Sequence, residues 1–415
     1  MKKTIALLLL LCMLIQLAAC SSGSSGSSVP SSEQTEEASR DPYEDFNNHF
    51  MANRTNGDKV CWAETEDYLF FGQKYYDKKT GDCDFYCSKP ECMHTDSHCE
   101  AMDWVLGTYN GKIYSLGNEG HGYGRVNKQN IDRTEKVGLH IITEEEQGLY
   151  HFHRGKIYSF YHECTVDNAN PRSEFRLTVI DPDNDESHTV FYSKDYYANA
   201  AGWLFILDNK VYLLLDYRAP EDAEEYPGKI VWELWAYNID TDEMKLEVVD
   251  PDMFGRLRGS WITKEGEIYA MVGNQCLVKL TDGKFVKQLV VEGVEEMGGA
   301  TQISDGVIIT GICDYFENEP KVLFRIQNFE GKIIAEDYLP FAYEDLLTEG
   351  WKVVQYNPVW ADETCLWVQY WFEKPIFWKG VHTFRPMQLA VKYDIVDHSY
   401  SLVFAEPPGS LLLGG

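Results

Sequence analysis

The chain has 415 residues, with 66 acidic against 37 basic side chains and a formal net charge of −29 at pH 7. This balance argues against nucleic acid as a partner, because phosphate binding needs clustered positive charge, and also against electrostatic docking on anionic lipid. Hydrophobic residues make up 44% of the chain and aromatic residues 14%, which is typical of a globular protein rich in β-structure rather than of an acidic disordered chain.

The first twenty residues have the layout of a secretory signal. A basic start precedes an apolar run over residues 5–17, which is too short to cross a bilayer comfortably. The run ends in Leu17-Ala18-Ala19-Cys20, which resembles the lipobox of bacterial lipoproteins. The resemblance implies that residues 1–19 are removed and that Cys20 receives a diacylglycerol, which anchors the chain to the outer face of the bacterial cell membrane. An ordinary signal peptide followed by a chance cysteine is the alternative.

A polar segment follows the anchor cysteine. Residues 21–28 contain only Ser and Gly, and residues 31–40 remain mostly polar, so we expect residues 20–57 to form a flexible linker. About twenty such residues have an r.m.s. span of roughly 25 Å. An acidic domain would then stand clear of the membrane, attached by lipid and not by charge.

A hairpin pattern recurs seven times between residues 58 and 404. In each copy a turn precedes a short apolar strand, as in residues 110–116, and a second hairpin follows whose turn is rich in Asp, Asn and Gly. The period is roughly 50 residues, with four strands in each copy. The pattern predicts an all-β fold, a β-propeller of seven four-stranded blades over residues 58–404 with a tail over 405–415. Six or eight blades, a β-sandwich, or two all-β domains are the alternatives.

The lengths of the connections differ between the two faces of such a propeller. If the strands of each blade are named A to D outward from the axis, the A–B and C–D turns lie on one face and are tight. The longer connections belong to the other face, where we expect any binding site. These insertions are residues 117–124, 161–174, 216–228, 314–320 and 373–386.

Four cysteines crowd between residues 83 and 99. The order Cys87, Cys92, His94 contains a Cys-x-x-Pro-x-Cys-x-His pattern that resembles a motif of uncharacterised Gram-positive propeller lipoproteins. Cys87, Cys92, His94 and Cys99 can surround a structural zinc ion. The exported compartment instead favours disulfides, such as Cys87–Cys99 or Cys92–Cys99, with Cys83 and Cys61 as further partners. Both alternatives stay open, and either role would be structural.

The sequence contains none of the common catalytic or cofactor-binding motifs, and we expect no cofactor other than that zinc. Exposed aromatic side chains with polar neighbours are instead the candidates for ligand binding, since they stack on sugars or anchor protein partners. Capping of blade edges is the other interpretation. The candidates are Tyr226, Tyr315, Trp371, Phe377, Trp378, His382 and Arg385. The acidic segment 221–226 is either a solvated rim or an attractor of a cation or basic peptide.

These observations predict a membrane-anchored extracytoplasmic binding or scaffold lipoprotein. Its long-loop face would engage a polysaccharide, a peptide or an envelope protein. An extracytoplasmic carbohydrate-active hydrolase or lyase is the alternative function, and it requires carboxylates from different blades to converge at the propeller axis. A purely structural assembly partner is a third hypothesis, which predicts an exposed apolar patch.

Overall fold

In the computed structural model, most of the described residues belong to β-strands joined by turns. The structure describes residues 62–405, except for residues 72–73, 88–98, 100–102, 119–123, 166–171, 198–199, 264, 274–275, 291–296, 305–306, 314–321, 339–348, 362–363 and 379–380. Cys20, the linker and the tail after residue 405 lie outside the described residues. No helix within the described part is long and apolar enough to cross a membrane.

The described chain forms seven antiparallel sheets, each built from four consecutive strands. Blades 1 and 2 comprise β1 (Trp62–Glu64), β2 (Tyr68–Phe71), β3 (Lys74–Asp77), β4 (Cys83–Phe85), β5 (Trp104–Tyr109), β6 (Lys112–Asn118), β7 (Gly124–Asn130) and β8 (Val137–Ile141). Blades 3 and 4 comprise β9 (Leu149–His153), β10 (Lys156–Thr165), β11 (Arg172–Asp181), β12 (Glu186–Tyr197), β13 (Ala201–Leu207), β14 (Lys210–Arg218), β15 (Ile230–Asn238) and β16 (Glu243–Met253). A 3₁₀ turn, Glu144–Glu146, precedes blade 3.

The remaining three blades follow the same order. Blades 5 and 6 comprise β17 (Leu257–Ile262), β18 (Ile268–Val272), β19 (Cys276–Thr281), β20 (Lys284–Val290), β21 (Met297–Ser304), β22 (Val307–Cys313), β23 (Val322–Asn328) and β24 (Ile333–Tyr338). Blade 7 comprises β25 (Lys352–Ala361), β26 (Cys365–Trp378), β27 (Val381–Asp394) and β28 (Ser399–Ala405).

The first strands of successive blades lie side by side. Strand β1 contacts β5, β5 contacts β9, β13 contacts β17, β17 contacts β21 and β21 contacts β25, while β28 of the last blade contacts β4 of the first. Seven four-stranded blades in this order form a β-propeller. The fold predicted from the repeats, with its seven blades, is therefore confirmed.

The ring closes through side chains and not through a shared sheet. Blade 1 is built entirely from β1–β4 and blade 7 entirely from β25–β28, so neither blade mixes strands from the two ends of the propeller. Leu69 and Phe71 of blade 1 pack against Cys365, Trp367 and Ala390 of blade 7. This apolar seam holds the first blade to the last.

Local turn chemistry explains why the A–B and C–D connections are tight. Asn110 and Gly111 join β5 to β6 with φ values of 50° and 67°, and Asp282 and Gly283 join β19 to β20 with 51° and 76°. Two successive positive φ values define the type I′ hairpin turn, which favours Asn-Gly and Asp-Gly. The turn residues thus set strand register in these two hairpins.

Two segments that were expected to be loops are extensions of strands. Pairing of β10 with β11 continues to Thr165, and pairing of β26 with β27 continues to Trp378. The lysines and prolines of residues 373–386 are typical of a loop. However, β25 pairs with β26 only as far as Glu373, so Pro375 lies in a two-stranded ribbon with a free edge, where proline removes no hydrogen bond from a third strand. The prediction of loops is therefore wrong for the described residues 161–165, 172–174, 373–378 and 381–386, while residues 166–171 and 379–380 lie outside the described residues.

Candidate functional site between blades 3 and 4

A cavity of about 510 Å³ opens between blades 3 and 4. Its walls come from the end of β12, the end of β14, the start of β15 and the loop 219–229 that joins β14 to β15. These are the strand ends next to the B–C and D–A connections, so the cavity lies at the long-loop face. Its size is in the range of small-molecule and side-chain binding pockets.

The polar centre of the cavity is the carboxylate of Glu233. The Tyr196 hydroxyl donates a hydrogen bond of 2.5 Å to it, and the Tyr217 hydroxyl donates one of 3.0 Å. The indole Nε1–H of Trp235, on the same face of β15, donates a third of 3.0 Å. Three neutral donors therefore converge on one half-buried carboxylate.

The two tyrosines stay protonated in this setting. Burial raises the pKa of Tyr196 and of Tyr217, and the neighbouring charge of Glu233 raises both pKa values further. Each hydroxyl proton is therefore committed to Glu233.

Aromatic packing makes the wall of the cavity rigid. The Tyr196 and Tyr217 rings meet edge to face with centroids 5.4 Å apart, and Tyr196 meets Phe175 in the same way at 5.3 Å. Behind Trp235 lies Phe191, at 5.0 Å. Such contacts fix the ring orientations before any ligand arrives.

The loop 219–229 is held in one conformation by its own backbone. Ala219 N–H donates to Lys229 O at 2.9 Å, and Gly228 N–H donates to Pro220 O at 2.9 Å. Gly228 has φ of +68°, and a Cβ atom there would lie 2.5 Å from a carboxylate oxygen of Glu221. The loop is thus a shaped element of the site.

This loop brings further negative charge to the cavity. Glu224 and Glu225 line its mouth, while Glu233 lies inside. Among the described residues, none of the ion pairs involves these three carboxylates, and the nearby Arg218 instead faces Glu221 at 3.8 Å. The cavity therefore carries three acidic groups without a protein counter-ion in the described part of the chain.

A buried ion pair anchors the base of the loop. Asp216, fully buried next to Tyr217, accepts hydrogen bonds from the Arg256 guanidinium and from Leu257 N–H at 3.2 Å. Burial raises the pKa of the Asp216 carboxyl, although Arg256 opposes this. The pair joins the end of β14 to the start of blade 5 and so positions the loop-bearing edge of blade 4.

The structure separates the ligand-binding candidates that the sequence suggested. Tyr226 belongs to the loop beside the cavity, with φ of +53°, whereas Trp371 and Phe377 lie on β26 of blade 7. Phe377 is 67% exposed and Trp371 is half-buried. Tyr315 and the side chains of Trp378, His382 and Arg385 lie outside the described residues. The described candidates therefore do not form one site.

Sequence reasoning missed the four residues at the centre of the cavity: Tyr196, Tyr217, Glu233 and Trp235. One signal was present in β15, which reads Ile-Val-Trp-Glu-Leu-Trp from residue 230. A single acid within an apolar strand needs partners when it is partly buried, and that need marks Glu233.

The structure describes Cys87 and Cys99 of the cysteine cluster. The buried Cys87 and Cys99 have Sγ atoms 3.7 Å apart, while Cys92 and His94 lie outside the described residues. Two thiolates on one tetrahedral zinc stand about 3.8 Å apart, given a Zn–S bond of about 2.3 Å. Within the described part of the chain, no group of three or more His, Cys, Asp or Glu side chains is arranged to hold a metal. Zinc and disulfide both remain predictions.

Cys83 and Cys87 lie in surroundings that the sequence did not predict. Cys83 packs in the seam between blades 1 and 7, where burial raises its thiol pKa to about 12 and so disfavours the thiolate that binds zinc. The carbonyl oxygen of Cys87 accepts a 2.7 Å hydrogen bond from Arg133, which lies in the C–D turn of blade 2. The Cys87 end of the connection therefore contacts a short-turn element, although the whole connection was expected on the long-loop face.

Comparisons with known proteins identify no family for the chain. No family model matches the chain, and no curated protein matches it. The chain is similar to a puromycin hydrolase mutant complexed with PGG at 11% identity and a TM-score of 0.46, covering 89% of this chain and 57% of that one. It is also similar to the β-propeller domain of the Trilobed protease from Pyrococcus furiosus at 10% identity and 0.42, covering 82% and 92%. BamB from Moraxella catarrhalis gives 12% and 0.29, covering 75% and 79%. The chain thus spans little more than half the length of the puromycin hydrolase.

Proposed function

We propose that this protein is a membrane-anchored extracytoplasmic binding lipoprotein whose propeller presents the cavity between blades 3 and 4 to a polysaccharide, a peptide or an envelope protein. The observation that carries the proposal is the Glu233 carboxylate with its three donors, set in a rigid aromatic wall at the long-loop face. Preformed polar groups in a concave aromatic site are typical of ligand recognition.

The geometry of the carboxylate favours binding over proton transfer. A carboxylate has about four lone-pair sites, and three donors already engage Glu233. The cavity walls come from strands β12, β14 and β15, and none of the first strands of the blades contributes to them. Neither feature matches the alternative function, which requires carboxylates at the propeller axis.

Lipid on Cys20 would hold the propeller at the outer membrane face, with residues 20–57 as the tether. Labelling cells with an alkyne analogue of palmitate tests this directly. Labelled full-length chain is expected in the membrane fraction, and the Cys20→Ala variant is expected to carry no label. Label on the variant would contradict anchoring at this cysteine.

A loop exchange tests the binding proposal. Residues 219–229 connect a hairpin whose last pair is Arg218 with Ile230, so an Asn-Gly turn can replace them without changing the register of β14 and β15. Replacing the C–D turn 239–242 of the same blade is the matched control. Full-length protein in detergent, applied to glycan and peptide arrays, is expected to bind at least one ligand class.

Binding should be lost in the loop exchange and retained in the control. Binding that survives the loop exchange would overturn the proposal. Turnover of a polymer by the intact protein would also overturn it, in favour of a carbohydrate-active enzyme.

A further inference from the structure

We infer that a two-stranded ribbon of blade 7 contacts the surface of the lipid bilayer and so orients the propeller on the membrane. The ribbon comprises residues 374–378 of β26 and residues 381–386 of β27. This contact rests on the proposed anchoring through Cys20 and adds an orientation to it. Blades 3 and 4 lie across the ring from blade 7, so the cavity between them stays clear of the contact.

The backbone of the ribbon extends beyond the rest of its blade. Pairing of β26 with β27 continues to Trp378 and Val381, whereas β25 accompanies β26 only to Glu373 and the described part of β28 accompanies β27 only to Leu389. Five residues at about 3.3 Å each carry the end of β26 roughly 16 Å past Glu373. Since β26 runs away from the A–B turn, the ribbon projects at the long-loop face.

The end of the ribbon is apolar and exposed. Phe377, one residue before the end of β26, is 67% exposed, and Pro375 is exposed as well. In the register, Phe377 pairs with His382 and Trp378 pairs with Val381. Aromatic residues are enriched at membrane interfaces, where an apolar ring lies at the level of the lipid headgroups. The end of the ribbon therefore has the composition of a segment that enters the bilayer surface.

The charge of the ribbon differs from that of the whole chain. Acidic residues make up 66 of the 415 residues, yet residues 374–386 contain none and include three basic ones, Lys374, Lys379 and Arg385. Lys374 and Arg385 pair across the two strands, about 13 Å behind Trp378. The net charge of −29 opposes docking of the propeller on anionic lipid, whereas the ribbon offsets this repulsion locally. Aromatic residues in front and basic residues behind suit a contact with headgroups and phosphate groups.

The base of the ribbon is fixed to its own blade. The ammonium group of Lys374 lies 5.8 Å from the centre of the ring of Trp351, a buried residue at the start of blade 7. Phe372, just before the ribbon, and Met387, directly after it, are both buried. A ribbon held at its base loses less conformational entropy on docking than a free loop does.

The membrane is the partner that the anchor would bring within reach. In β1 the chain runs from the long-loop face at Trp62 toward the A–B turn, and the apolar seam places blade 1 beside blade 7. About forty residues separate Cys20 from Trp62, and a flexible segment of that length has an r.m.s. span of roughly 35 Å. Lipid on Cys20 would hold the ribbon near the bilayer at an effective concentration of about a millimolar, where a weak contact suffices. A bilayer therefore suits this surface better than a protein partner.

The test uses the full-length protein in nanodiscs of phosphatidylcholine and phosphatidylglycerol. The nanodiscs also contain a lipid with a photoactivatable diazirine in its acyl chain, near the headgroup. Irradiation followed by mass spectrometry locates the residues that contact lipid. The variants are Phe377→Asp and the conservative Phe377→Trp. Val396→Asp is the matched control, because Val396 is 69% exposed in the C–D turn of the same blade, at the opposite face.

Lipid cross-links are expected at residues 374–386 and not at the C–D turn 394–398. Phe377→Asp should lower the cross-linking of the ribbon roughly tenfold or more, because a carboxylate is far less favourable than an aromatic ring at the bilayer surface. Phe377→Trp and Val396→Asp should each leave it within about twofold of wild type. The positions of the wild-type cross-links decide the matter even if Phe377→Asp fails to fold.

Cross-links spread equally over both faces, or none at residues 374–386, would overturn the inference. Ribbon cross-linking that a folded Phe377→Asp variant leaves unchanged would also overturn it. Palmitate label at Cys20 without ribbon cross-links would remove the orientation while the proposed anchoring stands. Absence of that label from the wild-type chain would refute the anchoring itself, so the two proposals fail on different measurements.

Discussion

The seam between blades 1 and 7 is expected to carry a measurable share of the stability of the propeller. Trp367 of blade 7 is 1% exposed, and its ring lies 4.9 Å from that of Tyr76 and 6.1 Å from that of Phe71, both in blade 1. Truncating a buried tryptophan to alanine costs about 3–5 kcal/mol of unfolding free energy. That loss alone would not prove contact across the seam, so the sharper quantity is the coupling between the two blades.

A double-mutant cycle of Trp367→Leu and Tyr76→Leu isolates this coupling. Edge-to-face aromatic pairs contribute about 0.5–1.5 kcal/mol beyond buried area, so the double variant should be more stable than the sum of the two single losses by that amount. Urea unfolding followed by circular dichroism measures it. Trp261→Leu in blade 5, equally buried, serves as the control, and it should add to Tyr76→Leu within about 0.5 kcal/mol. Coupling near zero for Trp367 and Tyr76 would refute ring closure through this seam.

The side chains of His140, Asp216 and Cys87 each allow a further test. The two ring nitrogens of His140 form hydrogen bonds with Glu146 and Asp185. Burial lowers the pKa of His140, but the two carboxylates outweigh burial and raise this pKa above 6.5. The contribution of His140 to the stability of the fold should therefore be full below pH 6.5 and fade as pH rises through the raised pKa. The melting-temperature difference between wild type and His140→Gln should therefore shrink at alkaline pH, and a constant difference would contradict this. Asp216→Ala should cost about 3–5 kcal/mol in urea unfolding because it removes the buried carboxylate that pairs with Arg256. A loss below about 1 kcal/mol would contradict the buried ion pair. For Cys87, thiol counting with metal analysis of protein purified without chelator should give either one zinc per chain with protected thiols or no zinc with missing thiols, and fully reactive thiols without zinc would exclude both.

The propeller could be predicted from the sequence because its signals are local. Turns such as Asn110-Gly111 fix the hairpin register from two adjacent residues, and the pattern repeats once per blade. The same local reasoning failed at residues 373–386, where Pro375 looked like a loop residue. Whether proline is tolerated depends on how far β25 accompanies β26, which no local pattern reveals.

The candidate site could not be predicted, because its parts are distant in the chain. Tyr196 and Glu233 are 37 residues apart and come from different blades, and their contact exists only because blades 3 and 4 pack together. The sequence predicted an insertion on the binding face over residues 216–228, with an acidic segment over residues 221–226. What the sequence did not reveal was the aromatic wall behind them, since Tyr196 and Tyr217 read as ordinary strand tyrosines.

Hydrogen exchange of the full-length protein, with and without a ligand that the glycan and peptide arrays identify, tests the central claim most directly. Binding at the cavity between blades 3 and 4 predicts slower amide exchange in the loop 219–229 and at the end of β12, with the C–D turns of the same blades unchanged. Protection at the C–D turns alone, or no protection in the loop at saturating ligand, would contradict the assignment of this cavity as the binding site.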